Sequence, residues 1–266
     1  MPREATVRAP EGVDLERPNA ARVYDYYLGG AHNWAADRRM GDEAMAAWPE
    51  LPMIMRANRA FLRRAVRFLV GAGIRQFLDL GSGIPTAGNV HEVAGPSCRV
   101  AYVDVDPVAV AHGRELLRDV PGAVAVRADL REPETVLSHP DVLSVIDLSQ
   151  PVAVLMIAVL HFVPEADDPA RIVAAYRDAS APGSYLALCH ATQGERGERA
   201  AGHRALYDRT ATPMTMRSRE RVAELLDGYD LVEPGLVWMA SWRPDEGEPA
   251  RPEVFPGLAA VGRIAG

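Results

Sequence analysis

Residues 77–85 read FLDLGSGIP, and this stretch decides the interpretation of the whole chain. A short apolar run, predicted to be a strand, leads into Gly81, Ser82 and Gly83, and a helix-compatible segment follows. Such a turn lets a ligand approach bare backbone and meet a helix N-terminus, where anions and nucleotides bind. The dinucleotide fingerprint would need a glycine where Thr86 stands, and no GK[ST] phosphate loop occurs. A plain tight turn and a site for another nucleotide-like ligand remain as alternatives.

Acidic residues stand at three successive predicted strand ends. Asp79 lies inside the strand before the glycines, Asp104 ends the next strand, and Asp129 follows the third. The carboxyl ends of parallel strands share one edge of a sheet, so these side chains are expected to meet in one crevice. The carboxylate of Asp79 suits an amino group of a ligand. The carboxylate of Asp104 can accept hydrogen bonds from both hydroxyls of a ribose, and that of Asp129 can accept one from the amine of adenine.

Apolar strands alternate with helical segments along most of the chain, which predicts an α/β fold with a mostly parallel open sheet covered by helices on both faces. Residues 1–17 are polar and aperiodic and are interpreted as a flexible lead-in, followed by a helical cap over 18–70. The α/β domain is expected over 71–244, and an antiparallel hairpin at one edge is predicted from residues 231–242. Residues 245–266 are interpreted as a C-terminal tail that packs on this domain.

The composition of the chain limits the classes of function that it can have. The chain has 266 residues, a net charge of −7 and two cysteines, with 48% apolar residues. A chain with net negative charge lacks the positive charge expected of a dedicated nucleic-acid binder. Its longest apolar run is shorter than the ~20 residues that a membrane helix needs. The two cysteines form no CxxC pair, and the N-terminus lacks the apolar segment of a signal peptide. These features predict a cytoplasmic protein that acts on a small molecule, with no nucleic-acid or membrane partner; they do not indicate its oligomeric state.

The order DLGSG, YVDVDP, RADL and VAVLMIAVLHFVP resembles the class I S-adenosylmethionine-dependent methyltransferases. The segments RPNAARVYDYYLGGAHNWAADR, ANRAFLRRAVRFL and GIRQFLDLGSGIPTAGNVHEVA are more specifically similar to an actinobacterial family of S-adenosyl methyltransferases long classed as a domain of unknown function. This resemblance implies a Rossmann-like fold and S-adenosyl-L-methionine as cofactor. It covers residues 17–244, nearly the whole chain.

The resemblance also implies roles for individual residues. It places Gly81, Ser82 and Gly83 against the methionine moiety and Asp104 on the ribose, while residues near the adenine would be Val105, Asp106, Asp129 and Leu130. Pro85 stands where many class I enzymes have a third glycine, and a proline suits the first turn of a helix. Arg59 is similar to an arginine that holds the cofactor carboxylate in a related family, although it could equally belong to a solvated face with Arg63 and Arg67.

Methyl transfer needs a general base only when the acceptor must lose a proton. His161 and His190 are the candidates, although a histidine near an apolar strand is more often structural. The helical cap supplies the candidate acceptor pocket, which comprises Tyr24, Tyr27, His32, Asn33 and Trp34, although the two tyrosines could simply pack the cap onto the sheet. Met214 and Met216 are interpreted as gap-filling methionines, and the scattered histidines predict no metal site.

The sequence therefore predicts an S-adenosylmethionine-dependent methyltransferase that acts on oxygen or nitrogen of a small molecule, by in-line displacement beneath the helical cap. Two alternatives remain. One is a non-catalytic regulator that binds the same cofactor, which the lack of an evident base favours. The other is an NAD-dependent oxidoreductase, which rests on fold analogy alone.

Overall fold

A computed structural model describes residues 9–10, 13–85, 88–192, 197–210, 212–247 and 256–265. Its centre is an eight-stranded sheet in the order β3-β2-β1-β4-β5-β8-β6, with β7 also paired to β8. The strands are β1 (Gln76–Leu80), β2 (Arg99–Asp104), β3 (Ala123–Arg127), β4 (Ala153–Ile157), β5 (Tyr185–Ala191), β6 (Asp230–Leu231), β7 (Val237–Trp238) and β8 (Gly257–Arg263).

The first five strands pair in parallel, as the alternation of strands and helices predicts. Strand β1 is buried along its whole length, because helices cover both of its faces. Its side chains alternate between two cores: Phe77 packs with the N-terminal helices, whereas Leu78 and Leu80 join the core on the opposite face. The mostly parallel, doubly covered sheet of the sequence prediction is confirmed.

Ten α-helices lie in the described part of the chain, besides three single-turn 3-10 helices. They are α1 (Ala20–Tyr27), α2 (Ala35–Ala47), α3 (Leu51–Gly71), α4 (Val90–Ala94), α5 (Pro107–Leu116), α6 (Pro133–Leu137), α7 (Pro140–Leu143), α8 (Pro169–Asp178), α9 (Gly197–Tyr207) and α10 (Arg219–Glu224). None of the helices in these residues is long and apolar enough to cross a membrane.

The three N-terminal helices share a core with the sheet. Phe61, Leu62 and Leu69 of α3 are buried in the same cluster as Phe77 and Val100. Asn19 caps the N-terminus of helix α1, because its side-chain oxygen accepts from the backbone N–H of Ala21 at 2.8 Å. The predicted cap over 18–70 therefore packs as part of the same body as the sheet.

The antiparallel edge differs from the prediction. Strands β6 and β7 do not form a hairpin with each other; each pairs with β8, which also pairs with β5 over seven residues. Residues 257–263 of the predicted C-terminal tail therefore form an internal strand of the sheet. Burial of β8 explains the error, because its first six residues are all buried and so lack the alternation that marks a half-exposed strand.

The predicted lead-in is described only in part, because residues 1–8 and 11–12 lie outside the described residues. Residues 13–17 are held against the helices. Arg17 donates to the carbonyl oxygen of Thr210 at 2.7 Å, and Arg22 donates to the carbonyl oxygens of Asp14 and Arg17. The end of the predicted lead-in is thus ordered by docking.

Candidate active site

The turn after β1 is shaped by two glycines with positive φ, Gly81 at +68° and Gly83 at +66°. The backbone N–H groups of Gly81 and Ser82 donate to the carbonyl oxygen of Val103 at 2.8 and 3.2 Å, which fixes the turn to the end of β2. A Cβ built on Gly83 would meet no atom within 4 Å, so open space lies directly above this backbone. The turn is a cradle that a ligand can approach closely.

Asp104 joins this turn to the next strand end. Its carboxylate accepts from the N–H of Gly83 at 2.7 Å and from the N–H of Asp106 at 2.8 Å. A carboxylate offers about four lone-pair sites, so it can hold both backbone groups and still accept from a ligand. Asp104 therefore both organises the turn and faces the cavity.

Two buried carboxyl groups lie close together at this edge. Burial raises the pKa of Asp79 to about 7; the charge of Arg59 opposes this rise, and that of Asp104 adds to it. Burial also raises the pKa of Asp104 to about 6, although the hydrogen bonds from Asp106 and Gly83 oppose the rise. Both groups would become more acidic beside a cationic ligand, because a nearby positive charge favours the ionised form.

The other two aspartates have additional roles. Asp106 caps α5, because its carboxylate accepts from the N–H groups of Val108 and Ala109. Asp129 forms a salt bridge of 2.6 Å with Arg131. Burial raises the pKa of Asp129, but the hydrogen bonds and charge of Arg131 outweigh burial and hold this pKa below its ordinary value.

Arg59 of α3 reaches the same end of the cavity. It donates through Nη2 to the carbonyl oxygen of Gly88 at 3.1 Å, while its buried Nε has no hydrogen-bond partner within the described chain. The side-chain oxygen of neighbouring Asn58 is likewise buried and unpartnered there. Both residues line the cavity with Asp79, and Arg59 is close enough to lower the pKa of Asp79. A zwitterionic ligand could therefore satisfy the unpartnered groups.

All ten residues predicted to bind the cofactor line one cavity. They are Arg59, Asp79, Gly81, Ser82, Gly83, Asp104, Val105, Asp106, Asp129 and Leu130. The cavity continues past the ends of β4 and β5 to β8, where Ile157, Ala191 and Gly257 line it. It therefore runs across the carboxyl edge of the parallel strands, with the predicted cofactor residues at the β1–β3 end.

The five residues predicted to form the acceptor pocket do not all line this cavity. Tyr24 lines the cavity, and its hydroxyl donates to the carbonyl oxygen of Met55 and accepts from Asn58. Tyr27 is only 3% exposed and lies in the core behind the cavity wall. It packs near His203, with ring centroids 6.4 Å apart.

The other three predicted pocket residues hold the α1–α2 connection together instead. His32 stacks on His112 with ring centroids 3.6 Å apart. Asn33 donates to Asp25 and to the carbonyl oxygen of Gly30. Trp34 packs against Arg22 at 5.6 Å and precedes α2. None of these three lines the cavity as the structure describes it.

The two candidate bases occupy different positions. His161 lines the cavity, and its Nδ1 accepts from the backbone N–H of Ala191 at 3.3 Å. This contact assigns its proton to Nε2. Burial, with the charges of His190 and Arg217, holds the pKa of His161 well below its ordinary value, so the ring is neutral at pH 7. In this tautomer His161 is a hydrogen-bond donor rather than a ready base.

His190 is enclosed behind the cavity, and the prediction that it is a base is not supported. Its Nε2 lies 2.8 Å from Nη1 of Arg217 and its Nδ1 lies 2.7 Å from the carbonyl oxygen of Ala191, so both ring nitrogens are occupied. Arg217 also donates to the carbonyl oxygens of Leu160 and Val163, on either side of His161. His190 and Arg217 therefore position the loop that carries His161.

Several cavity residues were missed by the sequence analysis. They are Trp48, Asn58, Phe162, His203, Tyr207 and Thr212, together with Met214 and Met216, which were interpreted as gap-filling. Only the aromatic character of some of them could have suggested a role. Within the described ranges, no group of three or more His, Cys, Asp or Glu residues could hold a metal ion.

The parallel sheet, the glycine turn and the carboxylates at successive strand ends define the Rossmann-like class I methyltransferases. Residues 6–265 match the family model described as S-adenosyl methyltransferase, and the chain belongs to this family. It is therefore an S-adenosylmethionine-dependent methyltransferase, with S-adenosyl-L-methionine as its cofactor. The nicotinamide alternative is not retained.

Solved structures agree with this assignment. A "putative methyltransferase" from Thermobifida fusca is 41% identical, with a TM-score of 0.91 and coverage of 98% of this chain and 100% of that one. A DUF574 family protein from Streptomyces avermitilis is 39% identical, with a TM-score of 0.89 and coverage of 94% and 99%. The pyocyanin biosynthetic protein PhzM is 18% identical, with a TM-score of 0.50 and coverage of 81% of this chain and 57% of that one. This likeness supports the fold and nothing further. No curated protein matches the chain.

Proposed function

We propose that this enzyme transfers a methyl group to an oxygen or nitrogen atom of a small molecule held at the β4–β8 end of the cavity. The observation that carries the proposal is a single cavity with two unlike ends. The β1–β3 end contains all the charged residues that line the described cavity, namely Arg59, Asp79, Asp104, Asp106 and Asp129. The other end is lined by neutral side chains.

The residues at the charged end fit the cofactor. S-adenosylmethionine carries an ammonium, a carboxylate and a sulfonium, and when bound it supplies an activated methyl group. The paired carboxyl groups of Asp79 and Asp104 suit its positive charges, and Arg59, with its unpartnered Nε, suits its carboxylate. The open space above Gly83 leaves room for the methionine moiety.

Asp104 is proposed to accept hydrogen bonds from the ribose hydroxyls. Val105 and Leu130 are proposed to flank the adenine. Asp129 is proposed to accept from the adenine amine. Asp106 would contribute mainly as the cap of α5, because that helix begins immediately after the ribose-binding strand end.

His161 is proposed to contact the acceptor through Nε2–H and to orient it for in-line attack. The proton that an O–H or N–H acceptor loses as its bond to the methyl group forms is proposed to pass to solvent water. Orientation supplies much of the rate in such a displacement, because the methyl group is already activated. The sequence-based role of His161 as a general base would require protonation at Nδ1, which already accepts from Ala191.

Transfer of label from methyl-labelled S-adenosylmethionine to a pool of small metabolites tests the proposal. We expect a labelled product from the wild-type protein and about a tenfold lower rate for His161→Ala, with little change in the affinity for S-adenosylhomocysteine. The matched control is His139→Ala, a partly exposed histidine outside the cavity whose Nδ1 accepts from the N–H of Asp141. Tight binding without any transferred label would instead favour the non-catalytic regulator.

Cofactor affinity is expected to increase with pH between 5.5 and 7. The raised pKa values of Asp79 and Asp104 keep part of the free protein in the protonated form, and the cationic cofactor selects the ionised form. Calorimetry across this range should show about a tenfold gain, with proton release on binding. Asp79→Asn should flatten the profile, whereas Asp119→Asn, at an exposed turn, should not. A flat wild-type profile would contradict the assigned role of Asp79.

The stability of the free protein gives an independent check of the same carboxyl group. A folded-state pKa above the unfolded value contributes stability at low pH that is lost as pH rises through about 7. Asp79→Asn should therefore become more stable relative to wild type as pH increases.

A further inference from the structure

The β4–β8 end of the cavity has a wall of aromatic rings, here called the aromatic wall and formed by Trp48, His203, Tyr207 and Phe162. Each ring contacts the next: the centroids of Trp48 and His203 are 5.9 Å apart, those of His203 and Tyr207 5.1 Å, and those of Tyr207 and Phe162 5.5 Å. All four residues line the cavity. The wall continues to His161, whose ring centroid is 4.5 Å from that of Phe162.

Flexible sulfur-containing side chains line the same end. Met214, Met216 and Met239 all border the cavity, as does Cys189, whose Sγ is 3.8 Å from the sulfur of Met239. Methionines adapt their shape to a ligand and make favourable contacts with aromatic rings. Rings and thioethers together suit a flat, apolar body.

The electrostatics at this end disfavour a charged ligand. Burial lowers the pKa of His203 to about 4, and it raises the pKa of the Cys189 thiol to about 12, so both groups are neutral at pH 7. The nearest charged groups of the described lining are those assigned to the cofactor. A charge on the acceptor would lose its hydration here without gaining a counterion from the described lining. Arg64 and Arg217 act on this end from behind the lining, but both already donate to backbone carbonyl oxygens, and Arg217 also donates to Glu165.

Three polar atoms of this lining are buried and have no partner within the described residues. They are Nε1 of Trp48, Nδ1 of His203 and Oγ1 of Thr212. Trp48 is 2% exposed and His203 6%, so bulk water does not satisfy them. The indole N–H can only donate, so its partner must carry a lone pair. Unsatisfied buried groups of this kind are costly unless a ligand or water completes them.

We infer that the methyl acceptor is an uncharged planar ring compound with oxygen substituents, which packs against the aromatic wall and accepts hydrogen bonds from Trp48 and Thr212. The inference rests on the proposed function and specifies its substrate class. It excludes nucleotides, carboxylic acids and amines that are charged at neutral pH.

Calorimetric titration of the protein saturated with S-adenosylhomocysteine tests the inference with three probes that share one ring system. 2-Naphthol is neutral at pH 7, 2-naphthoate is an anion and 2-naphthylmethylammonium is a cation. We expect saturable binding of 2-naphthol and at least tenfold weaker binding of both ions. Equal or tighter binding of either ion would overturn the inference, as would the absence of 2-naphthol binding.

Variants locate the probe in the cavity. Thr212→Val removes the hydroxyl and His203→Phe removes both ring nitrogens, while each keeps the approximate shape of the side chain, so each should weaken 2-naphthol binding about 5-fold. His112→Phe, which alters a histidine outside the cavity, should bind like wild type. Unchanged binding in both cavity variants would also overturn the inference.

The first step of each titration separates the two proposals. If S-adenosylhomocysteine binds but the naphthol probes do not bind as expected, the proposed acceptor class is wrong and the methyl-transfer proposal stands. If S-adenosylhomocysteine itself does not bind to the folded protein, the proposed function fails.

Discussion

Gly81→Ala is expected to reduce the affinity for S-adenosylhomocysteine at least 30-fold and to destabilise the fold by about 2–5 kcal/mol. A Cβ at this position would lie 2.1 Å from Cγ2 and 2.7 Å from Cβ of Val159, and the φ of +68° disfavours any L side chain. Relief of the clash must move either the glycine turn or the loop after β4. Both border the cavity, so binding and stability are lost together.

Calorimetry with S-adenosylhomocysteine and thermal unfolding would measure these two effects. Gly71→Ala is the matched control, because Gly71 ends α3 at an exposed position where a Cβ would meet no atom within 4 Å. It should leave both quantities near wild type. Wild-type affinity in Gly81→Ala would show that the turn tolerates the displacement and that the cofactor does not depend on its geometry.

Asp104→Ala is expected to weaken cofactor binding about 10- to 100-fold, or about 1.4–2.7 kcal/mol. The change removes the proposed ribose contact and leaves the N–H groups of Gly83 and Asp106 without their acceptor. The turn after β1 would keep its hydrogen bonds to the carbonyl oxygen of Val103 but lose the one from Gly83 to Asp104, so the methionine end should be affected along with the ribose end.

Comparison of two ligands separates these contributions. If Asp104 binds the ribose, Asp104→Ala should weaken the binding of S-adenosylhomocysteine and also the binding of adenosine, which lacks the methionine moiety. Asp119→Ala, an exposed aspartate outside the cavity, serves as control. Unchanged affinity for both ligands in a folded Asp104→Ala protein would remove Asp104 from the site.

The cofactor end could be predicted because its determinants are local. Asp79, Gly81 and Asp104 each stand at or beside the carboxyl end of a strand, and parallel pairing brings such ends to one edge whatever the details of packing. Their side chains therefore share a cavity even though the sequence does not reveal a single distance. The role of Asp106 as a helix cap was less evident, because a cap and a ligand contact use the same residue type.

The acceptor end could not be predicted because it depends on how helices are rotated and on distant segments. Tyr24 and Tyr27 are three residues apart on α1, yet one borders the cavity and the other is buried behind it. The residues that form the aromatic wall come from the end of α2, the loop after β4 and α9. Only tertiary packing brings Trp48 within 5.9 Å of His203, since 155 positions separate them.

The position of β8 has a consequence for biosynthesis. This strand lies between β5 and β6, yet it is made after every other strand of the sheet. A nascent polypeptide that has emerged only as far as β7 exposes the full backbone edge of β5, and unpaired edges of this kind promote aggregation. Completion of the sheet must therefore wait until residues 257–263 have left the ribosome, so the edge of β5 stays unpaired while all the other strands are already made.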